Sequence, residues 1–346
     1  MQAEDQQNDS FYSCPVQVGT PPQTVHLDFD SGSSDLWMWS TQLDKRTIRA
    51  GQANQIAVFD QRKSTTFKPM SGSTWKITYG DGSGASGTVG TDDVTIGDIT
   101  IEHQAIELAN KVSSQFQNMS SSGLLGLAWG NINTVTPQQV KTPVDNMVLQ
   151  KDIPQSAALW TVYLGSVKDL NDPDHGQSFY TFGSIDESVV RASPDKAISW
   201  TPIDNSAGFW MFKSESATIN GKTLDLTGNR AIADTGTTLM MVSDRFCEAL
   251  YGQIQGARFD QRAGGWIMPG GADAISARPD VTVAVGDKQI TIEKEQLGWA
   301  ELEQGSDMVF GAIQSRGSMD FDIFGDTFLI CCYAVSWSEL SGARRC

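Results

Sequence analysis

Two stretches of this chain carry an aspartate in nearly the same company. One is Leu27-Asp28-Phe29-Asp30-Ser31-Gly32-Ser33-Ser34, the other Ala231-Ile232-Ala233-Asp234-Thr235-Gly236-Thr237-Thr238. In each, apolar residues lead into an Asp, then a hydroxyl residue, a Gly and two more hydroxyl residues. One Asp-(Ser/Thr)-Gly is ordinary turn chemistry. Two copies in matching surroundings point to a pair of carboxyls, one from each half of the chain. Carboxyls held about 3 Å apart cannot both ionise, so Asp30 and Asp234 would share one proton. The ionised member takes a proton from a bound water while the protonated member hydrogen-bonds and polarises an acyl carbonyl. That is hydrolysis by water attack, without a covalent intermediate, a metal or a cofactor. The pair titrates as a unit, so the proton is assigned to neither residue.

The neighbours suit that chemistry. Gly32 and Gly236 let backbone N–H groups approach the carboxylates where a side chain would obstruct them. Ser33 and Thr237 can donate to the outer carboxylate oxygens, and Ser31 and Thr235 can tie one loop to the other's backbone. Each loop is answered later by an apolar-apolar-Gly triplet, Leu124-Leu125-Gly126 and Ile323-Phe324-Gly325, at nearly equal offset. The repeat implies a duplicated folding unit.

The elements that must position these residues read as short strands. Cys14 to Phe29 alternates around a turn at Gly19-Thr20-Pro21-Pro22 and runs into Asp30, and Asp35 to Trp39 is strand-like. Residues 40 to 72 are polar and read as irregular. Trp75 to Tyr79 and Ala85 to Val89 flank Gly80-Asp81-Gly82-Ser83-Gly84, a hairpin with a mobile tip. Val94 to Ile106 turns at Gly97-Asp98, and Pro143 to Leu149 reads as a short helix. Strands are expected over 157–164, 178–182, 197–203 and 209–219. Ser243 caps a helix whose stripe is Phe246, Leu250 and Ile254. Val281 to Val285 and Ile290 to Ile292 form a hairpin turning at Gly286-Asp287. With no βαβ rhythm, the class is mainly β in two units, divided as 1–185 and 186–346.

Bulk properties exclude other classes. The 346 residues carry 25 Lys+Arg against 41 Asp+Glu, a formal charge of −16 that, with no basic cluster, disfavours a nucleic-acid partner. No run of about 18 apolar residues indicates a membrane span. Three scattered His (His26, His103, His175) disfavour a zinc site. Of five Cys, Cys331 and Cys332 are neighbours, and the odd count leaves a thiol over in a monomer. Asn8-Asp9-Ser10 and Asn118-Met119-Ser120 fit the glycosylation sequon. Met1 to Ser10 is polar and reads as no secretory signal.

The motif set resembles pepsin-type aspartic endopeptidases, most of all secreted fungal enzymes of the penicillopepsin and aspergillopepsin kind. It comprises Asp30 to Trp37, Tyr79-Gly80-Asp81-Gly82-Ser83, Gly123 to Ala128, Ala233 to Thr238 and Phe324-Gly325-Asp326, with Ile132 to Val135 and Gly208-Phe209-Trp210 like the fungal branch. The resemblance implies two pseudo-symmetric β lobes, a central cleft and a hairpin flap over it. It implies that Tyr79 covers the substrate with its hydroxyl facing Trp37. Gly80 and Asp81 match flap contacts to the substrate backbone, and Gly236, Thr237 and Thr238 match contacts on the opposite wall, beside Gly32. An Asp at 81 resembles enzymes that accept Lys beside the scissile bond. The implied partners are polypeptide substrates and pepstatin-like inhibitors, acting on a monomer that is secreted or vacuolar, with acidic pH and bulky apolar residues preferred.

Four departures stand against the family pattern. Ser122 replaces the usual Asp before Gly-Leu-Leu-Gly, Ser31 the commoner Thr, and the region of Met268 and Met308–Phe310 lacks the second-lobe Cys pair. The ending from Ser336 to Cys346 lacks a clear closing apolar strand. The competing reading is a catalytically impaired homologue that binds peptides. A two-carboxylate glycosidase would set its carboxyls about 5 Å or more apart on unlike loops. A serine hydrolase would need a G-x-S-x-G elbow, which is missing.

Overall fold

The computed structural model describes residues 1–6, 9–166, 168 and 177–337. Two compact units emerge. One contains 1–7, 11–158 and 205–209, and the other 8–10, 159–204 and 210–346. Both are built mainly of short strands.

In the first unit the strand Gln23–Asp30 carries the chain to Asp30 with Val25, Leu27 and Phe29 turned inward. It pairs antiparallel with Phe11–Val18 and parallel with Gly123–Gly126, so that Asp30 lies opposite Gly126. The chain leaves the Asp30 loop as the strand Leu36–Trp39, which runs antiparallel along the other side of Gly123–Gly126. The answering triplet is therefore wedged between the two strands that flank the Asp loop.

The second unit repeats this layout. The strand Arg230–Ala233 delivers Asp234 and pairs parallel with Asp322–Phe324, which pairs antiparallel with Met240–Val242. Long hydroxyl-flanked loops cannot hold a conformation alone. A buried apolar strand on either side supplies the rigid frame, each fully buried side chain contributing about 1.5–3 kcal/mol.

Around these frames the alternating segments fold as read. Lys68–Thr78 and Gly84–Ile96 form the hairpin below Gly80, and Ile99–Val112 continues the sheet. Val281–Val285 pairs with Lys288–Ile292. Pro143–Gln150 is a helix, its start fixed by the Thr142–Asp145 capping box and by Pro143.

Three expectations are corrected. Lys45–Ala53, inside the stretch read as irregular, is a helix. Asp44 starts it by accepting from the Arg46 and Thr47 backbone N–H groups, and Gly51 lets it lie against the buried Trp39 ring. Its sequence has few apolar residues, so periodicity does not announce it. Residues 197–203 do not form a strand; bridges are confined to Pro202 and, just beyond, to Asp204 with Met211. Pro202 makes a bridge but has no N–H to donate, so the pairing does not extend into a ladder. The helix after Ser243 spans Asp244–Tyr251, so Ile254 lies beyond its end.

The departures have local explanations. Ser122 is buried, and its Oγ accepts from the backbone N–H of Ala57 at 3.1 Å and of His26 at 3.4 Å. Replacing it by Ala orphans the Ala57 N–H, and urea titration should show a loss of about 1–3 kcal/mol. Met268 is fully buried and faces Val309 across the antiparallel pair Gly265–Pro269 and Met308–Gly311, so apolar packing joins these strands. Ser336 and Trp337, read as part of a tail without a closing strand, end the strand Ala334–Trp337, which pairs with Leu159–Tyr163. Residues 338–346 lie outside the described residues, as do Asn8 and His175. Cys14 and Cys247 are free, and burial pushes both thiols up, that of Cys247 to about 12. They act as small apolar fillers.

Candidate active site

Asp30 lies in the first unit and Asp234 in the second, each buried at the end of its strand. The Gly32 backbone N–H donates to Asp30 Oδ1 at 2.8 Å, and the Ser33 hydroxyl donates to Oδ2. At the second copy the Gly236 N–H donates to Asp234 Oδ1 at 3.0 Å and the Thr237 hydroxyl to Oδ2 at 2.7 Å. One backbone donor and one hydroxyl donor therefore hold each carboxylate in the same order. Together the two donors fix the plane of each carboxyl group.

Backbone bonds pin the loops to their answering triplets. Leu127 N–H donates to the Asp30 carbonyl at 2.7 Å, Gly126 N–H to that of Asp35 at 2.9 Å, and Ala128 N–H to that of Ser33 at 2.9 Å. In the second unit Asp234 N–H donates to the Phe324 carbonyl at 3.1 Å, and Asp326 N–H to that of Thr237 at 2.8 Å. Thr238 is held from both directions, its hydroxyl donating to the Ser10 carbonyl and its own carbonyl accepting from Thr327. Ser31 and Thr235 are buried.

The hairpin residue Tyr79 meets Trp37. The Trp37 Nε1–H donates to the Tyr79 hydroxyl oxygen at 2.8 Å. Phe116 packs edge-on against both rings, and Trp75 stacks on Trp37 with centroids 5.8 Å apart. Burial first, then the Asp30 charge, pushes the Tyr79 hydroxyl well above its ordinary value, so it stays protonated. The tip folds as a tight turn, Gly82 N–H donating to the Tyr79 carbonyl at 3.0 Å. Gly82 sits at φ +81°, a conformation that suits glycine. Gly80 and Asp81 are exposed at this tip, and Asp81 Oδ1 accepts from Ser83 N–H at 2.9 Å.

The structure also gathers a group that the motif reading passed over. Asp35, directly after the first motif, and Glu107 are both fully buried. Asp35 Oδ1 accepts from the Thr134 N–H at 3.1 Å and hydroxyl at 2.6 Å, and Glu107 Oε1 accepts from Asn133 Nδ2 at 3.1 Å. Burial pushes the Glu107 carboxyl well above its usual range, and the neighbouring Asp35 adds to this. Burial raises Asp35 as well, while hydrogen bonds from Glu107 and Thr134 oppose the rise. A signal was available: Glu107 is the lone charge in the apolar run Ala105-Ile106-Glu107-Leu108-Ala109.

The eukaryotic aspartyl protease family model matches residues 11–338. The chain is 38% identical over 328 residues to endothiapepsin from Cryphonectria parasitica, covering 94% of this chain and 72% of that protein. It is 37% identical to an aspergillopepsin-1 of Aspergillus fumigatus over 96% of this chain and 78% of the relative. Penicillopepsin-1 of Penicillium rubens is 38% identical, at 96% and 77% coverage. The crystal structure of an aspartic proteinase from Irpex lacteus matches the fold with a TM-score of 0.72 at 23% identity, covering 95% of this chain and 91% of the other. The chain thus belongs to the eukaryotic aspartyl protease family and is an aspartic-type endopeptidase.

Proposed function

We propose that Asp30 and Asp234 act as one acid–base pair on a single water, which attacks the carbonyl of a peptide bond. The observation that carries this reading is the repeated pattern of donors: a Gly N–H on Oδ1 and a hydroxyl on Oδ2 at both aspartates. A carboxylate that is merely structural has no need of a matched copy in the other unit. In this reading Ser31 and Thr235 brace the loops. Gly32, Tyr79, Gly80, Asp81, Gly236, Thr237 and Thr238 contact the peptide, and Trp37 holds Tyr79 through its N–H. The enzyme works as a monomer at acidic pH on extended polypeptide, between bulky apolar residues, and a pepstatin-like inhibitor occupies the same site. Its place of action is outside the cell or in a vacuole, in keeping with an excess of acid over base and with an acidic working pH. Among the described residues no helix is long and apolar enough to cross a membrane. The matched constellations favour this over a peptide-binding homologue without activity.

A quenched fluorescent peptide at about pH 4, assayed with and without a statine-type inhibitor, tests the reading. Cleavage that the inhibitor abolishes is expected. Absence of cleavage by folded protein would return the weight to a binding module.

Asp81 supplies a finer expectation. Its carboxylate is exposed, and only Oδ1 is engaged by the turn, which leaves Oδ2 for a substrate cation. Asp81→Ala should lower kcat/KM for a peptide with Lys beside the scissile bond by about 10-fold, in the range of a charge-assisted hydrogen bond. The matched Leu peptide should change little. Equal effects on both peptides would remove Asp81 as a Lys determinant.

A further inference from the structure

We propose that Glu107 is a positioning residue for the reaction at Asp30, holding one proton between its own Oε2 and Asp35 Oδ2. It rests on a matched pair of unsatisfied acceptors in a buried network. Among the described residues, neither Asp35 Oδ2 nor Glu107 Oε2 has a donor, although both side chains are fully buried. Every other oxygen of the two carboxyls is satisfied: Asp35 Oδ1 by Thr134 and Glu107 Oε1 by Asn133. Two orphan acceptors belonging to hydrogen-bonded neighbours need one proton between them. With that proton on Glu107, it donates to Asp35 and all four oxygens are paired. Without it, two charges face each other in a buried site, and the groups acting on either one are Asp35, Glu107, Asn133 and Thr134, none of them basic.

The pair lies where it can govern the site. The Asp35 carbonyl accepts from Gly126 N–H, opposite Asp30, and Asn133 also donates to the Ser34 carbonyl at 3.3 Å. Glu107 is in register with Trp37, whose N–H holds Tyr79. The other titratable groups nearby are Asp30 and Tyr79. The sign follows from the raised carboxyls. The folded protein binds the shared proton more tightly than the unfolded chain, so its stabilisation is complete below the ordinary Glu range, about pH 4.3, and is lost as pH rises through the folded value. The enzyme would lose its Trp37–Tyr79 arrangement from the alkaline side.

Two measurements decide this. Infrared spectra of protein labelled with carbon-13 in Glu, taken near pH 6, about two units above the ordinary Glu value, should retain a protonated carboxyl band. Glu107 is the one fully buried Glu among the described residues, so the band should vanish in Glu107→Gln. No band in the folded wild type overturns the proposal, whether or not any variant folds. The second measurement uses the kinetics of the same Glu107→Gln variant. The introduced amide keeps the same bonds, its nitrogen donating to Asp35 and its oxygen accepting from Asn133, with no proton to lose. The variant should keep kcat at about pH 4 and shift the upper limb of its kcat profile up by about one pH unit. An unmoved limb overturns the positioning role. Only this kinetic arm rests on Asp30 being catalytic, so failure of that reading and absence of the shared proton are told apart.

Discussion

Asp30→Asn is expected to fold, to bind a statine-type peptide and to cleave about 10⁴-fold more slowly than the wild type, the upper range for loss of a general acid–base group. The amide is nearly the same shape as the carboxyl. Its oxygen still accepts from Gly32 N–H, and the Ser33 hydroxyl can rotate to accept from the amide nitrogen. Stability therefore changes little, while the ability to take a proton from water is gone. Asp234→Asn should behave alike, since Gly236 and Thr237 hold it in the same way. If the two carboxyls serve one water, the double variant loses little more than either single one, because each change already disables the unit. Initial rates on a quenched peptide at about pH 4, with inhibitor affinity measured beside them, check all three variants. Acid proteolysis retained by Asp30→Asn, or losses that multiply in the double variant, would defeat the paired mechanism.

Gly126→Ala and Gly325→Ala are expected to lose about 3–5 kcal/mol of stability, at the severe end for a single methyl group. At Gly126 an added Cβ would stand 2.4 Å from Ser34 Cα and 2.5 Å from the Ser33 carbonyl oxygen. At Gly325 it would meet the carbonyl oxygens of Thr237 at 2.0 Å and Leu239 at 2.4 Å. These obstacles are backbone atoms of the two aspartate loops and the residues that follow, so relief must displace the loops themselves. Activity falls with stability at both sites, because Ser33 and Thr237 carry the hydroxyls that hold the carboxylates. Gly80→Ala is the control, since its Cβ would meet nothing within 4 Å. Urea midpoints should separate the two groups clearly. A Gly126→Ala protein as stable as Gly80→Ala would contradict the wedge geometry.

Much of the fold was legible wherever burial on one face of a strand imposes alternation. Val25, Leu27 and Phe29 announce their strand because each inward residue must be apolar. The helix Lys45–Ala53 obeys a different rule: a cap and one close glycine hold it, and neither leaves a periodic trace. The segment 197–203 fails in the opposite sense, with apolar residues present but pairing limited to a bridge at Pro202. Ser336 and Trp337 give no such signal because a strand is made by its partner, here Leu159–Tyr163, more than by its own composition.

The order of residues alone determined the duplicated aspartate motif, the hydroxyl and glycine neighbours each aspartate requires, and hence the class of reaction. These are local features: each aspartate takes its two donors from the residues two and three positions on. Which donor reaches which oxygen, how Gly126 and Gly325 come to lie beneath the loops, and the meeting of Asp35 with Glu107 were decided only by tertiary structure. The reason is physical. Strand pairing between residues far apart in the chain sets those contacts, and a buried carboxyl acquires its chemistry from whatever that pairing places against it.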